Sequence, residues 1–588
     1  MPSVHRFWRR AQLPLAVSFA ATLAGPAWGV SFNVGDVEVQ LDSELSIGAS
    51  WSTAKADHSL IGANNGGTGH SQISDDGRLN FHRGETFSKV LMGVHGLELK
   101  YGDSGLYVRG KYWYDFELQD DSRPFKDISD RGRKASAQSA GAQWLDAFVY
   151  HNYVIADQPG AVRLGKQVVN WGEGAFIGGG INAINPTQMA AYRRPGTEYK
   201  DGLVPVNLFY LSQNLTDRLS VEGFYQLDWE QSEVDNCGTF FSQSDVIADG
   251  CSANYRVMSK RSALDVADLA ALTSVGVDVN GEGVLVRRDA DRNARNSGQF
   301  GLALHYLVDP LDTEFGAFFM NYHSRDPIIS GRAAPQSVYN AATAAGGLAP
   351  MVVAGNARYY VEYPEDIRLY GVSFATTLST GTAWKGELSY RPNAPVQLNT
   401  DDLLYANVTL LPGLADASPL SVTAGGDTAG YRRKEITQFQ TSLTHILDNA
   451  MGANRLILIG EVGITHVGGL ESRSDARYGR DPVFGQAGDD GFTTANAWGY
   501  RARAVWEYNS VLPGINLKPN VAWSHDVSGY SPGPSATFEE GRKAVSVGVD
   551  AQYQNTYTSS LSYTNFFGGR YNTLSDRDFM ALSVGVKF

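Results

Sequence analysis

Cysteine is almost absent from this chain, with 2 in 588 residues, so a disulfide scaffold or a cysteine-rich metal module is excluded. Also missing, after the first thirty residues or so, is any apolar run approaching the ~20 residues that a membrane-spanning helix needs. Acidic side chains outnumber basic ones, for a formal net charge of -13, which removes the electrostatic footprint of a nucleic-acid partner. No cofactor is expected. What is abundant is glycine and tyrosine, 64 and 29 residues. With a negative mean hydropathy, that balance suits strands whose two faces differ, because alternation between lipid and water averages out along the chain.

The N-terminus reads as an export leader over residues 1–29. Arg6, Arg9 and Arg10 supply a positive region, Leu13 to Leu23 an apolar stretch broken by Pro14, and Ala27-Trp28-Gly29 a small-x-small cleavage site. The mature domain is then 30–588.

From Val37 to Trp51, Val37, Val39, Leu41, Leu45, Ile47, Ala49 and Trp51 alternate with polar or small residues, and only Ser43 interrupts the apolar face. Successive strand side chains point to opposite sides, so this segment has one oily and one wet face. The last segment repeats the design, with Met580, Leu582, Val584, Val586 and Phe588 on one side and Ala581, Ser583, Gly585 and Lys587 on the other. Both ends of the mature chain are therefore strands able to pair, as barrel closure requires.

Between them, tight turns fall at Gly102-Asp103, Asp157-Gln158-Pro159-Gly160, Thr216-Asp217, Asp309-Pro310-Leu311-Asp312, Ser379-Thr380-Gly381, Asp448-Asn449, Leu512-Pro513-Gly514 and Asn555-Thr556. Each is followed, one strand later, by a longer polar connection, near 52–86, 117–140, 171–202, 231–297, 326–357, 392–432, 468–496, 526–541 and 568–575. A soluble sandwich or propeller has no reason to sort loop lengths by side. The expected fold is all-β: a transmembrane, antiparallel, up-and-down β-barrel of about 18 strands, with 16 the alternative, short periplasmic turns and long extracellular loops, in a Gram-negative outer membrane. The first strand starts too close to the leader to leave room for a globular plug. Trp51, Tyr112, Trp113, Tyr114, Tyr225, Trp229, Tyr306, Tyr390, Trp498, Trp506, Tyr508, Trp523 and Tyr553 gather near strand ends and are read as interface girdles, alongside the ordinary strand preference for aromatics.

If the oily faces meet lipid, the opposite faces line the lumen. That assigns Arg109, Lys111, Arg163, Lys385, Glu387, Arg391, Glu461, Arg501, Arg503 and Glu507 to the interior, since Arg or Lys on the lipid face at midplane costs roughly 2 to 4 kcal/mol. These charges form either a track guiding a solute or a mutually neutralised, rigid wall. The third long connection carries Glu173, a run of glycines and then Arg193-Arg194-Pro195-Gly196. By analogy with the third loop of general porins it is expected to fold inward, placing Glu173, Arg193 and Arg194 at a pore constriction; an external loop is the alternative. Cys237 and Cys251, alone together in the longest connection, are expected to form a disulfide in the oxidising envelope. Zinc is not expected there, because no His lies between Asn236 and Ser297.

Several stretches have a familiar order: Arg163-Leu164-Gly165-Lys166-Gln167-Val168-Val169-Asn170-Trp171-Gly172-Glu173, Gly178-Gly179-Gly180-Ile181-Asn182, Arg193-Arg194-Pro195-Gly196, Asn321-Tyr322-His323-Ser324-Arg325, Glu362-Tyr363-Pro364-Glu365-Asp366 and Ser389-Tyr390-Arg391-Pro392-Asn393. With these motifs the chain resembles the proteobacterial outer-membrane family catalogued as domain of unknown function 1302 (DUF1302). The resemblance implies an outer-membrane location and a role in moving hydrophobic or aromatic compounds, and it carries over no catalytic residue.

Catalysis is not expected. His305, His323, His445, His466 and His525 lie on strands or at strand ends, and Ser524 and Asp526 flank His525. Neighbours on a strand point apart, so those three cannot form a triad by themselves. The expected function is a passive, porin-like channel whose partners are outer-membrane lipid and lipopolysaccharide, the barrel-assembly machinery and a small-molecule solute. The alternative is a non-conducting outer-membrane partner of a periplasmic lipid carrier protein or an inner-membrane export pump.

Overall fold

In a computed structural model that describes residues 29–192, 202–534 and 536–588, nineteen strands hydrogen-bond into one sheet. Apart from the short strand Val30–Val34, they are β1 (Val37–Ser52), β2 (Thr86–Tyr101), β3 (Ser104–Asp115), β4 (Ala140–Ile155), β5 (Gln158–Gln167), β6 (Val206–Asn214), β7 (Leu219–Gln226), β8 (Phe300–Val308), β9 (Thr313–Tyr322), β10 (Ile367–Thr377), β11 (Ala383–Gln397), β12 (Tyr431–Asp448), β13 (Arg455–Gly468), β14 (Asn496–Leu512), β15 (Ile515–Ser528), β16 (Lys543–Tyr553), β17 (Tyr557–Phe567) and β18 (Phe579–Lys587). Each of these eighteen pairs antiparallel with its sequence neighbours, and β18 closes on β1 with Glu44 opposite Lys587 and Ser52 opposite Phe579. Apart from Gly29, the segment 1–29 expected to be a leader lies outside the described residues, as do Arg193 and Arg194. Among the described residues, no helix is long and apolar enough to cross a membrane.

The alternating pattern fixes which face meets lipid. On β1 Ile47 is 53% exposed and on β18 Val584 is 47% exposed, apolar side chains that an ordinary soluble sheet would bury. Connections at one rim run from two residues (102–103) to six (449–454), and at the other from eleven (568–578) to seventy-three (227–299). One predicted boundary is corrected: β11 does not stop at Pro392 but continues to Gln397, with a register shift between Arg391 and Ala394. A bulge absorbs the proline, which has no N–H to give the ladder. Two of the expected girdle residues are also reassigned. Trp113 points inward and donates to the Gln138 carbonyl (2.8 Å), and Trp229 sits within the loops, donating to the Ser324 carbonyl (2.9 Å) and packing on Tyr363.

Closure ends on two backbone hydrogen bonds, Phe588 N–H to the Ser43 carbonyl (2.9 Å) and Ser43 N–H to the Phe588 carbonyl (2.7 Å). Deleting Phe588 removes both, so the yield of heat-modifiable, folded protein in the outer membrane should fall several-fold. Unchanged yield and gel mobility would show that the last residue does not matter for closure.

The long connections are not simply polar. Those at 53–85, 227–299, 323–366 and 398–430 share an apolar core that includes Ile73, Val246, Tyr255, Val284, Val353, Tyr359 and Val408. Their apolar residues come in short clusters without strand or helix period, so no repeat in the sequence announces this cap. Short helices contribute, among them Gln336–Ala342 and Ala349–Asn356. At its edge burial pushes the Asp401 carboxyl up to about 8, with Asp481 and Asp402 adding repulsion and Arg477 and Arg480 opposing it. A carboxyl raised in the folded state contributes stability that is complete below its ordinary value near 3.8 and is lost as pH rises through about 8. The segment 398–430 should therefore resist protease better at pH 5 than at pH 9, and Asp401→Asn should flatten that difference. A wild-type cleavage rate that does not change across this range would refute the assignment.

Candidate functional site

The connection between β5 and β6 enters the barrel. Its apolar residues Val169, Trp171, Ile181 and Ile184 pack on inward side chains of β6 to β10, including Leu208, Phe224, Phe318, Met320 and Leu369. The Trp171 ring lies 5.1 Å from Phe224 and 5.8 Å from Phe318, and its N–H donates to Glu222 (2.7 Å). Beyond Trp171 the backbone crosses to β11, β12 and β13, where side chains replace solvent as its partners. Glu387 accepts the amides of Glu173, Gly174 (3.2 Å) and Ile181 (2.9 Å), and Glu461 accepts those of Ala175 (2.8 Å), Phe176 (2.7 Å) and Ile177 (2.7 Å). Gln438 donates to the Gly178 carbonyl, Arg391 to the carbonyls of Gly179 and Gly180, and Lys385 pairs with Glu173 at 2.9 Å. Glycine is required here by contact: a Cβ at Gly180 would meet the Glu387 carboxylate, and Gly172 adds a φ of +87°.

The other inward charges are distributed around the wall. Arg109 pairs with Asp146 at 2.9 Å, Lys111 lies over Trp113, Arg163 lies over Tyr210, and Arg501 reaches Asp526 at 2.7 Å. Arg503 shares the inward face of β14 with Arg501. Asp526 faces inward, accepting Arg542 as well, whereas His525 turns to the rings of Tyr500 and Trp523. Sequence reading missed Gln438 and Gln440, the latter donating to Glu387 (3.0 Å), because a neutral side chain carries no charge signature and the Gly178 carbonyl that Gln438 meets is 260 residues away; it also missed Asp526 as the partner of Arg501 and Arg542.

Cys237 and Cys251 are joined by a disulfide. The guanidinium of Arg133, from another connection, lies against both sulfurs and donates to the Asp249 carbonyl (2.8 Å). Beneath it, between the inward wall of β1, β2, β3, β17 and β18 and the overlying loops, is a cavity of about 480 Å³. Phe87, Phe240, Phe241 and Phe579 form its aromatic side. The dipeptide Phe240-Phe241, three residues after Cys237, was the one signal that could have pointed there.

A family model described as "Protein of unknown function (DUF1302)" matches residues 10–588. No curated protein matches the chain. Among solved structures it is similar to OccAB1 of Acinetobacter baumannii, with 9% identity over 94% of this chain and 97% of that chain and a TM-score of 0.39. It is also similar to Pseudomonas aeruginosa OpdK with vanillate, at 9% identity, 93% and 98% coverage and a TM-score of 0.37. The outer membrane channel DcaP of Acinetobacter baumannii matches at 9% identity, 95% and 100% coverage and a TM-score of 0.34.

Proposed function

The chain belongs to the DUF1302 family, and from that premise and its barrel geometry we propose that it is a passive outer-membrane channel for hydrophobic or aromatic small molecules. The observation that carries this reading is the inward loop. Residues 171–181 are fastened chiefly to β6 to β13, with Ile177 also packing on Ala497 at the start of β14, so the inward faces of β15 to β18 and β1 to β5, with the rest of β14, are left to line a path. Those faces carry Arg109, Lys111, Arg163, Arg501 and Arg503, and the aromatic cavity opens among them on the loop side. A barrel that narrows on one side and keeps charged and aromatic groups on the other can orient a solute while excluding bulk flow.

Purified protein in planar bilayers should show stable conductance steps, and liposomes carrying it should take up small aromatic solutes faster than empty ones. The second reading, a non-conducting partner of a periplasmic carrier or an export pump, draws on the apolar core that the cap builds over the lumen. It calls for no stable steps, and for cross-links between the short-turn rim and a periplasmic protein.

A further inference from the structure

We propose that the outward face of the barrel carries a binding site for a phosphate group of lipopolysaccharide, formed by Arg368 and Arg433 in an open pocket at the long-loop rim. The inference rests on the outer-membrane half of the proposed function and does not depend on conductance. The pocket, of about 480 Å³, is where two stretches singled out in the sequence meet: Glu362-Tyr363-Pro364-Glu365-Asp366 ahead of β10, and Asn393 in the bulge of β11. The Asn393 side chain accepts the Arg368 amide at 3.0 Å, and its carbonyl accepts the Arg433 guanidinium at 2.9 Å. Strand parity sets the height of the pair. Leu369 points inward, into the apolar core around the loop, so Arg368 and Tyr370 point outward. Tyr370 is 45% exposed, lies opposite Tyr390 and packs on Phe319 at 5.2 Å. These rings form a band above the exposed apolar side chains of Val372, Leu388 and Phe439. Arg368 stands two residues nearer the long loops than Tyr370, a rise of about 7 Å. On β12, Gln438 and Gln440 are buried inward, which turns Arg433 outward as well. Just beyond its aromatic girdle a Gram-negative outer-membrane barrel meets the phosphorylated sugars of the outer leaflet.

Pairing, rather than net charge, makes the site. Arg292, Arg368 and Arg433 line the pocket together with Glu362, Glu365 and Asp366, so the two signs are equally represented there. The carboxylates already have partners. Arg295 pairs with Glu365 and, at 2.7 Å, with Asp366. Glu362 accepts the Ser330 hydroxyl and acts on Arg292, which in turn holds Asp427 at 2.6 Å. Glu435 shares the outward face of β12 but does not line the pocket. The two remaining cations have no carboxylate of their own. Arg433 donates to the carbonyl oxygens of Asn393 and Glu365 (2.6 Å) and meets the Tyr431 hydroxyl. The Arg368 guanidinium has no hydrogen-bond or ion-pair partner among the described residues. A guanidinium presents parallel N–H donors that match phosphate oxygens two at a time, and a basic pocket at head-group level draws phosphorylated lipid.

The test offers the full-length protein in detergent an equal mixture of two lipids: phosphorylated lipid A, and the same lipid A with its phosphates removed. Native mass spectrometry reads the ratio of the two adducts. Wild type should prefer the phosphorylated lipid by roughly tenfold or more. The Arg368→Ala, Arg433→Ala double variant should bring the two lipids to within about threefold of each other. Arg83→Ala removes an exposed arginine from another connection of the same rim and should keep the wild-type preference. Both variants are first checked for wild-type heat-modifiable migration. Equal binding of the two lipids by wild type, an unchanged preference in the double variant, or the same loss in Arg83→Ala overturns the proposal. Displacement of the lipid by millimolar inorganic phosphate at matched ionic strength also overturns it, because the pocket would then be a site for the free anion. If the preference is absent while bilayer conductance persists, this inference falls and the channel reading stands. If the preference is found without conductance, the lipid site stands and the channel reading falls.

Discussion

Replacing Glu387 and Glu461 together by alanine should release residues 172–180 from the wall and at least double the single-channel conductance. The two carboxylates accept the amides of Glu173, Gly174, Ile181, Ala175, Phe176 and Ile177. A hydrogen bond to a charged group contributes about 1.5–3 kcal/mol, and a buried amide left unpaired costs about 1–3 kcal/mol. With half of the lower bound of that sum taken as net, the docked loop loses about 5 kcal/mol, or a few thousandfold in its docking equilibrium. The apolar anchor through Trp171, Ile181 and Ile184 stays in place, so the barrel should still assemble. Amide exchange at residues 175–177 should accelerate by a similar factor. Wild-type conductance together with wild-type protection would mean that the carboxylates do not hold the loop.

A second large effect is expected at Asp576, in the last long connection. Its carboxylate accepts the Arg78 Nε (2.9 Å) and the Asp57 amide (3.0 Å), and Arg577 lies 3.7 Å away. The side chains of Arg78, Asp576 and Arg577 are 3%, 2% and 2% exposed. Burial, reinforced by the Arg78 charge, pulls the Arg577 guanidinium down to about 9. Asp576→Ala removes the carboxylate in contact with two buried cations and leaves them only the electrostatic influence of Asp245 on Arg577 and of Asp481 on Arg78; breaking a buried pair in this way costs about 3–5 kcal/mol. The connections 53–85 and 568–578 should then part, exposing Arg78 and Arg577 to trypsin at rates at least a hundredfold above wild type. Asp576→Asn keeps one acceptor and should be cut more slowly than the alanine variant. Trypsin resistance equal to wild type in both would show that the cluster carries no net stability.

The barrel was legible because its signals are local. Alternation placed Ile47, Leu582 and Val584 on lipid, and a turn of a few residues every second connection ordered the strands. The same parity put Glu387 and Glu461 on the inner face, but it could not say what they bind. Their partners are backbone amides more than 200 residues away, and a backbone N–H has no signature in sequence. The mixed signs suggested neutralisation, and ion pairs such as Arg109 with Asp146 do occur, yet these two glutamates serve hydrogen bonding to a loop. The cap escaped notice for a related reason: Ile73, Val246, Val353 and Val408 come from separate connections, and only folding brings them together. The strand Val30–Val34 was missed because five residues are too few for a period to stand out.

That short strand constrains how the barrel can be built. It runs antiparallel to β1, with Val30 opposite Leu41 and Val34 opposite Val37, on the edge that β18 uses higher up. The closing strand therefore finds the lower part of its seat already taken. A slide of two residues towards the periplasm would bring Phe588 to Leu41, where Val30 already sits, so slippage in that direction is blocked by the chain itself. The strand Val30–Val34 thus acts as an end-stop on the seam: it sets the stagger between first and last strand, and with it the tilt and bore of the finished cylinder.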